Sequence, residues 1–223
     1  MIIYMKQGEN FMIKNRGKMA FTLAEALITM VIVGVIAILV VPGMIKDINN
    51  KSRMAMLKSV VVSLDSAVAN ELNRSRTTSI ESTAIALNPQ SFLDNLEKIN
   101  GDTFASAYTN YSGSEATVDV PDASVHLKNG ASVGIINDSD NKKSFLIVDV
   151  NGLEDPNIIG VDYYILELAW SDNFDKGIHV GDLGGYETDK TEEELKTACL
   201  DGDGKACYKL AEISGFEPNY LTN

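Results

Sequence analysis

The chain has 223 residues, with 31 acidic against 19 basic side chains and a formal net charge of −12 at pH 7. So acidic a balance argues against an electrostatic groove for nucleic acid, which needs clustered Lys and Arg. Hydrophobic residues make up 45 % of the chain, and their uneven distribution organises everything that follows.

The first 20 residues carry Lys6, Lys14, Arg16 and Lys18 against Glu9, three net positive charges. From Phe21 to Ile45 come 25 residues whose only charge is Glu25. At 1.5 Å per helical residue they reach roughly 37 Å, enough to cross a hydrocarbon core of about 30 Å. Positive charge ahead of a span holds that end in the cytoplasm and predicts that the rest of the chain lies outside it. A secretory signal peptide has an apolar core of about 7–15 residues and a small-x-small cut site. This core is longer, and Val40-Val41-Pro42-Gly43-Met44 offers no such site. A plain signal anchor accounts for the length and the charge asymmetry but gives Glu25 no role. A buried helix of a soluble protein conflicts with the uncharged length from Ala26 to Ile45.

Glu25 has two compatible readings. Thr22-Leu23-Ala24-Glu25 fits a capping box, with Thr22 as N-cap and Glu25 reaching back to its backbone N–H. A carboxylate well inside the bilayer also costs on the order of 2.5–3.5 kcal/mol on insertion scales, and so favours a partner. Further along, Pro42 lacks an N–H and opposes the Ile38 carbonyl, while Gly34 and Gly43 add low helix propensity. A stretch that melts under load and a static kink both fit that pattern.

The run Phe21-Thr22-Leu23-Ala24-Glu25-Ala26-Leu27-Ile28-Thr29, behind its basic leader, resembles the class III signal of type IV prepilins and type II secretion pseudopilins. The match covers roughly residues 17 to 50. The resemblance implies cleavage between Ala20 and Phe21 and N-methylation of Phe21. It makes Glu25 the fifth mature residue, paired with the amine of a neighbouring subunit, and Pro42 the family's helix-interior proline. The family usually has Gly before the cut; this chain has Ala20, and Gly17 stands three residues too early. The leader can start at Met1, Met5 or Met12 with the same mature chain. Without it the net charge falls to near −15.

After Ile45 the composition turns polar, yet no helix breaker follows for three turns. Met54, Leu57, Val61, Leu64 and Val68 recur at spacings of three, four, three and four, the stripe of an amphipathic helix. The helix is expected to end between Asn73 and Ser79. Asn88-Pro89 reads as N-cap and first helical position of a helix through Ile99, stopped at Gly101. Strands are expected over Ala116–Val120, Ala123–Lys128, Ala131–Asn137, Ser144–Val150 and Val161–Ala169, with Asn129-Gly130 as a type I′ turn. The whole is an α+β, pilin-like fold: a long N-terminal helix packed on a small antiparallel sheet of three to five strands. Its divisions are a leader (1–20), a transmembrane or filament-core helix (21–45), an amphipathic half (46–74) and a globular head (75–223).

Asp149-Val150-Asn151-Gly152-Leu153-Glu154-Asp155-Pro156-Asn157, with Gly160 and Asp162 beyond it, is dense in turn formers and resembles a strand–turn–strand of many pilin-like chains. Asx turns account for it without metal. Asp149, Asn151 and Asp155 are alternatively candidate Ca²⁺ ligands, but the twelve-residue EF-hand pattern is absent. With the head outside the cytoplasm, Cys199 and Cys207, eight apart, are expected as a disulfide. Many pilin-like chains end in such a Cys loop. Two Cys alone do not make a structural zinc site, and His126 and His179 lie far away. Asp201 and Asp203 at the loop tip are a second Ca²⁺ candidate against a plain solvated turn.

No Gly-x-Ser-x-Gly, His-Glu-x-x-His or phosphate loop occurs, and Glu192-Glu193-Glu194 after Thr191 reads as the acidic first turn of a helix. The reading is therefore a structural subunit of a type IV pilus or a secretion pseudopilus, not an enzyme and without a cofactor. The resemblance implies sister subunits, a prepilin peptidase/methylase, an assembly ATPase and a platform protein as partners. It places the chain in the bacterial inner membrane, head outside the cytoplasm, before its incorporation into a periplasmic or extracellular filament. The alternative is a single-pass anchored adhesive or ligand-binding ectodomain that never polymerises. An anchored hydrolase using a carboxylate pair is a third, weaker reading.

Overall fold

The computed structural model describes residues 22–185, 189–218 and 220–221. Two compact units divide between Met44 and Ile45. One helix, α1, runs unbroken from Leu23 to Ser75, 53 residues with Pro42 inside it. Up to Ile45 its large apolar side chains are exposed; Met30 (74 %), Ile38 (75 %) and Leu39 (76 %) are typical. It is the one helix among the described residues long and apolar enough to cross a membrane.

From Ile45 onward α1 belongs to the second unit, and its buried side chains begin at Met54. Met54, Leu57, Val60, Leu64 and Val68 are buried in the same hydrophobic core as the sheet residues Val133, Leu146 and Leu166. Val60 takes the fully buried place expected of Val61, which is only partly buried. Both lie within the arc between Leu57 and Leu64, and packing decides between them. At 1.5–3 kcal/mol for each fully buried large side chain, this stripe contributes on the order of several kcal/mol.

The C-terminus of α1 closes with Arg76 in the left-handed region (φ 50°). The Arg76 N–H donates to Asn73 O and the Thr77 N–H to Leu72 O, a Schellman pair. Buried Glu71 then ties the return of the chain. It accepts from Arg74 Nη2 (2.5 Å), Ser75 Oγ (3.1 Å) and the backbone N–H of Ala84 (3.0 Å), the first residue of α2 (Ala84–Leu87).

A short α3 follows at Pro89–Leu93, with Asn88 Oδ1 accepting from the Ser91 N–H. The N-terminal signal is where it was expected, but the helix is not carried to Ile99. Lys98–Ile99 forms an edge strand, β1, instead, opposite Leu127 and His126. Pairing with the sheet edge overrides the helical pattern. Residues 116–120 hold no strand beyond Ala116. β3 (Glu115–Ala116) pairs only with β2 (Tyr108–Thr109) in a separate two-stranded ribbon.

The main sheet is a meander of β4 (Ala123–Leu127), β5 (Ser132–Asp138), β6 (Lys143–Asp149) and β7 (Tyr163–Ala169), flanked by β1 and by β8 (Leu183–Gly184). It is antiparallel throughout, in the order β1-β4-β5-β6-β7-β8. Six strands exceed the expected three to five because the two short edge strands carry no alternating pattern. The β4–β5 connection is also corrected. Only Gly130 has positive φ (95°), whereas a type I′ turn needs it at Asn129 too. Gly130 N–H donates to Leu127 O, and Leu127 N–H to Ala131 O. The result is a three-residue loop with its glycine in the left-handed position.

After the sheet come α4 (Glu192–Leu200) and α5 (Gly204–Ile213). Thr191 and Glu194 form a capping box at the start of α4, and α5 lies against β7. A buried polar relay ties the layers. Trp170 Nε1 donates to Ser144 Oγ (2.8 Å), Ser144 Oγ to Asn137 Oδ1 (2.6 Å), and Asn137 Nδ2 to Ile85 O (3.0 Å).

Candidate functional site

The N-terminal segment is built from its capping residues upward. Thr22 N–H and Oγ1 both donate to Glu25 Oε2 at 2.9 Å, and the Glu25 N–H donates to Thr22 Oγ1 at 3.2 Å. That is the capping box read from the sequence. It satisfies otherwise orphaned donors at the head of α1 and gives the carboxylate a local role. Ala20 and Phe21, where cleavage and methylation are expected, lie outside the described residues. Past Glu25 nothing on α1 is charged until Lys46. Gly34 and Gly43 stand in open space, with no heavy atom within 4 Å of a Cβ built there. Pro42 is accommodated within the continuous helix.

The turn-rich segment 149–162 is folded around two buried carboxylates. Asp149 Oδ2 accepts from the Tyr108 hydroxyl at 2.5 Å and Oδ1 from the Asn151 N–H at 3.1 Å. Burial pushes the Asp149 carboxyl up to about 6 against these hydrogen bonds. Asp162 Oδ1 accepts from the Ile158 N–H at 2.8 Å, while Oδ2 has no partner among the described residues. Burial, followed by repulsion from Asp149, pushes Asp162 up to about 8. Tyr108 is driven well above the ordinary phenol range by burial and by the Asp149 charge.

The other expected calcium ligands are engaged locally. Asn151 Nδ2 donates to Glu154 O (2.5 Å), and Asp155 Oδ1 accepts from Asn157 Nδ2 (3.1 Å). Asp203 Oδ1 caps α5 by accepting from the Lys205 and Ala206 N–H groups (3.0 and 3.3 Å), and Asp201 ends α4. Among the described residues no three His, Cys, Asp or Glu side chains gather as a metal-holding group. Turn and cap bonds engage Asp155 and Asp203, whereas the buried Oδ1 of Asn151 has no hydrogen-bond partner among the described residues.

Cys199 on α4 and Cys207 on α5 are bonded, S–S 2.06 Å, and both are fully buried. The bridge lies against the 149–162 segment through Gly160. A Cβ on that residue would come within 2.8 Å of Cys207 Sγ and 2.9 Å of Cys199 Sγ. Gly160 O also accepts from the Tyr164 hydroxyl (3.1 Å) and the Tyr220 hydroxyl (2.5 Å). His126 Nδ1 lies 3.0 Å from Ser132 Oγ, and exposed His179 stands beside Asp172. His126 and Ser132 are register partners across the β4–β5 pair. Sequence reasoning missed Tyr108, whose two-residue strand carries no periodicity. It counted Asp162 only as a turn former, though a carboxylate just ahead of an apolar strand signals a buried anchor. No protein-family model, curated protein or solved structure matches the chain.

Proposed function

We propose that this chain is a prepilin-type structural subunit, anchored by α1 and polymerised through it into a pilus or pseudopilus. The observation that carries the reading is the N-terminal run itself. A single carboxylate in the first turn of α1, whose run to Ile45 is otherwise uncharged, sits directly behind a basic leader, and in the lone chain that run leaves its apolar side chains uncovered. Lipid covers such a surface in a membrane, and sister helices cover it in a filament. Glu25 is then the one charged side chain that a neighbour's terminal amine can meet in that apolar packing. The head contributes the outer surface. A prepilin peptidase/methylase, an assembly ATPase and a platform protein are the partners this reading requires.

The experiment is mass spectrometry of the membrane-associated protein from its native host, paired with a Glu25→Ala variant. A chain beginning at Phe21 with one added methyl, and loss of filament incorporation in Glu25→Ala with membrane insertion intact, support the proposal. A chain retaining Lys14 to Ala20, with Glu25→Ala behaving as wild type, would falsify it. The second reading, an anchored ectodomain that does not polymerise, is favoured by one observation. The Thr22–Glu25 capping box explains the carboxylate within a single helix.

A further inference from the structure

A cleft of about 510 Å³ opens beside the turns of α1 that follow Ile45. Lys46, Asn50 and Arg53 line one side of it, at spacings of four and three that put them on one helix face. Tyr111 and the apolar Val161 and Pro218 line it as well. Asp47 also borders the cleft, so two cations meet one carboxylate there. Among the described residues neither Lys46 nor Arg53 enters an ion pair, and the Tyr111 hydroxyl has no hydrogen-bond partner.

In a chain with 31 acidic and 19 basic residues, two unpaired cations in one cleft stand out. Arg53 is half-buried, and its five donors require acceptors. The buried carboxyl whose field it feels, Asp162, is pushed up by burial and forms no ion pair with it. An anion is the missing complement.

Resting on the membrane-anchored reading, we propose that this cleft binds the phosphate headgroup of an anionic phospholipid, held by Arg53 and Lys46. Position in the chain selects the lipid. Lys46 is the first residue after the uncharged run. The polar headgroup layer extends roughly 5–7 Å beyond the hydrocarbon core, so Lys46 falls within it. Arg53 lies roughly 12 Å along the helix from Ile45, and its long side chain spans the remaining distance. Cations at this level attract anionic lipid. Tyr111 supplies one more donor, and Val161 and Pro218 offer apolar surface to the glycerol end.

The test uses the full-length protein in dodecyl maltoside, with bound lipid counted by native mass spectrometry. Phosphatidylglycerol is expected to be retained over phosphatidylcholine. Arg53→Gln and Lys46→Gln are each expected to reduce that retention roughly tenfold, the worth of a charge-assisted hydrogen bond. Lys51→Gln, exposed and outside the cleft, is expected to leave it unchanged. Displacement of the lipid by inorganic phosphate supports the phosphate contact, whereas binding of phosphate without phosphatidylglycerol overturns the lipid as its source. Equal retention by wild type and Arg53→Gln overturns the proposal. So does lipid-free association between chains that depends on Arg53, which would assign the cleft to a carboxylate of a second copy. Carbonate extraction of the host-expressed protein separates the two readings. Release from the membrane overturns the anchor as well, and retention without lipid preference overturns this inference alone.

Discussion

Gly160 joins two demands at one backbone position. Its φ is +84°, and both bridge sulfurs occupy the space a side chain would take. Gly160→Ala therefore combines left-handed strain with overpacking, and a loss of about 2–4 kcal/mol is expected. Trp170, the chain's single tryptophan and buried in the sheet region, reports it as a shift in the urea midpoint. Arg76 presents the opposite case. It holds φ 50° at the end of α1 with a full side chain, in the place where glycine is cheapest. Arg76→Gly is expected to stabilise the head by about 0.5–1 kcal/mol; an unchanged or lower midpoint would contradict this.

The elements divide by how their information is encoded. α1 was legible because its apolar run and the stripe from Met54 to Val68 repeat over many turns. β4 to β7 were legible because they alternate or run apolar over five to seven residues. β1, β2 and β8 are two residues each, and only a partner strand defines them, which no local pattern reveals. The capping box was readable because it is set by spacing within four residues, and the Cys pair because a head expected outside the cytoplasm favours a disulfide. The Tyr108–Asp149 contact joins residues 41 apart and was not. A packing test follows from the stripe. Leu57→Ala and Leu64→Ala, both almost wholly buried, are each expected to cost about 2–5 kcal/mol. Val62→Ala, exposed on the same helix, is expected to stay within about 0.5 kcal/mol.

The whole molecule carries an excess of negative charge, and two of its buried carboxylates, Asp149 and Asp162, have raised pKa values. Their pKa values are raised to about 6 and about 8 in the folded state, against about 3.9 for an unfolded Asp. Below pH 4 both states are protonated, and these groups contribute no pH dependence. Between about pH 4 and 8 the folded chain retains protons that the unfolded chain has lost. Stability therefore falls as pH rises through that window and levels off above it. A higher melting midpoint at pH 5.5 than at pH 8.5 is expected. Asp162→Asn should narrow the difference by removing the upper part of the window, and an unchanged difference would assign the effect to general charge repulsion. Replacing both Cys199 and Cys207 by Ser is expected to cost about 2.5 kcal/mol on the chain-entropy account.

The bridge also bears on the rate at which its thiols oxidise. Its sulfurs are sealed beneath the 149–162 segment and leave no accessible surface to an oxidant or a reductase. A head closed over two thiols is expected to oxidise only as fast as α4 and α5 open from that segment. A head folded with the two thiols reduced is therefore expected to weigh two hydrogens more, by intact mass, than one folded with the bridge formed.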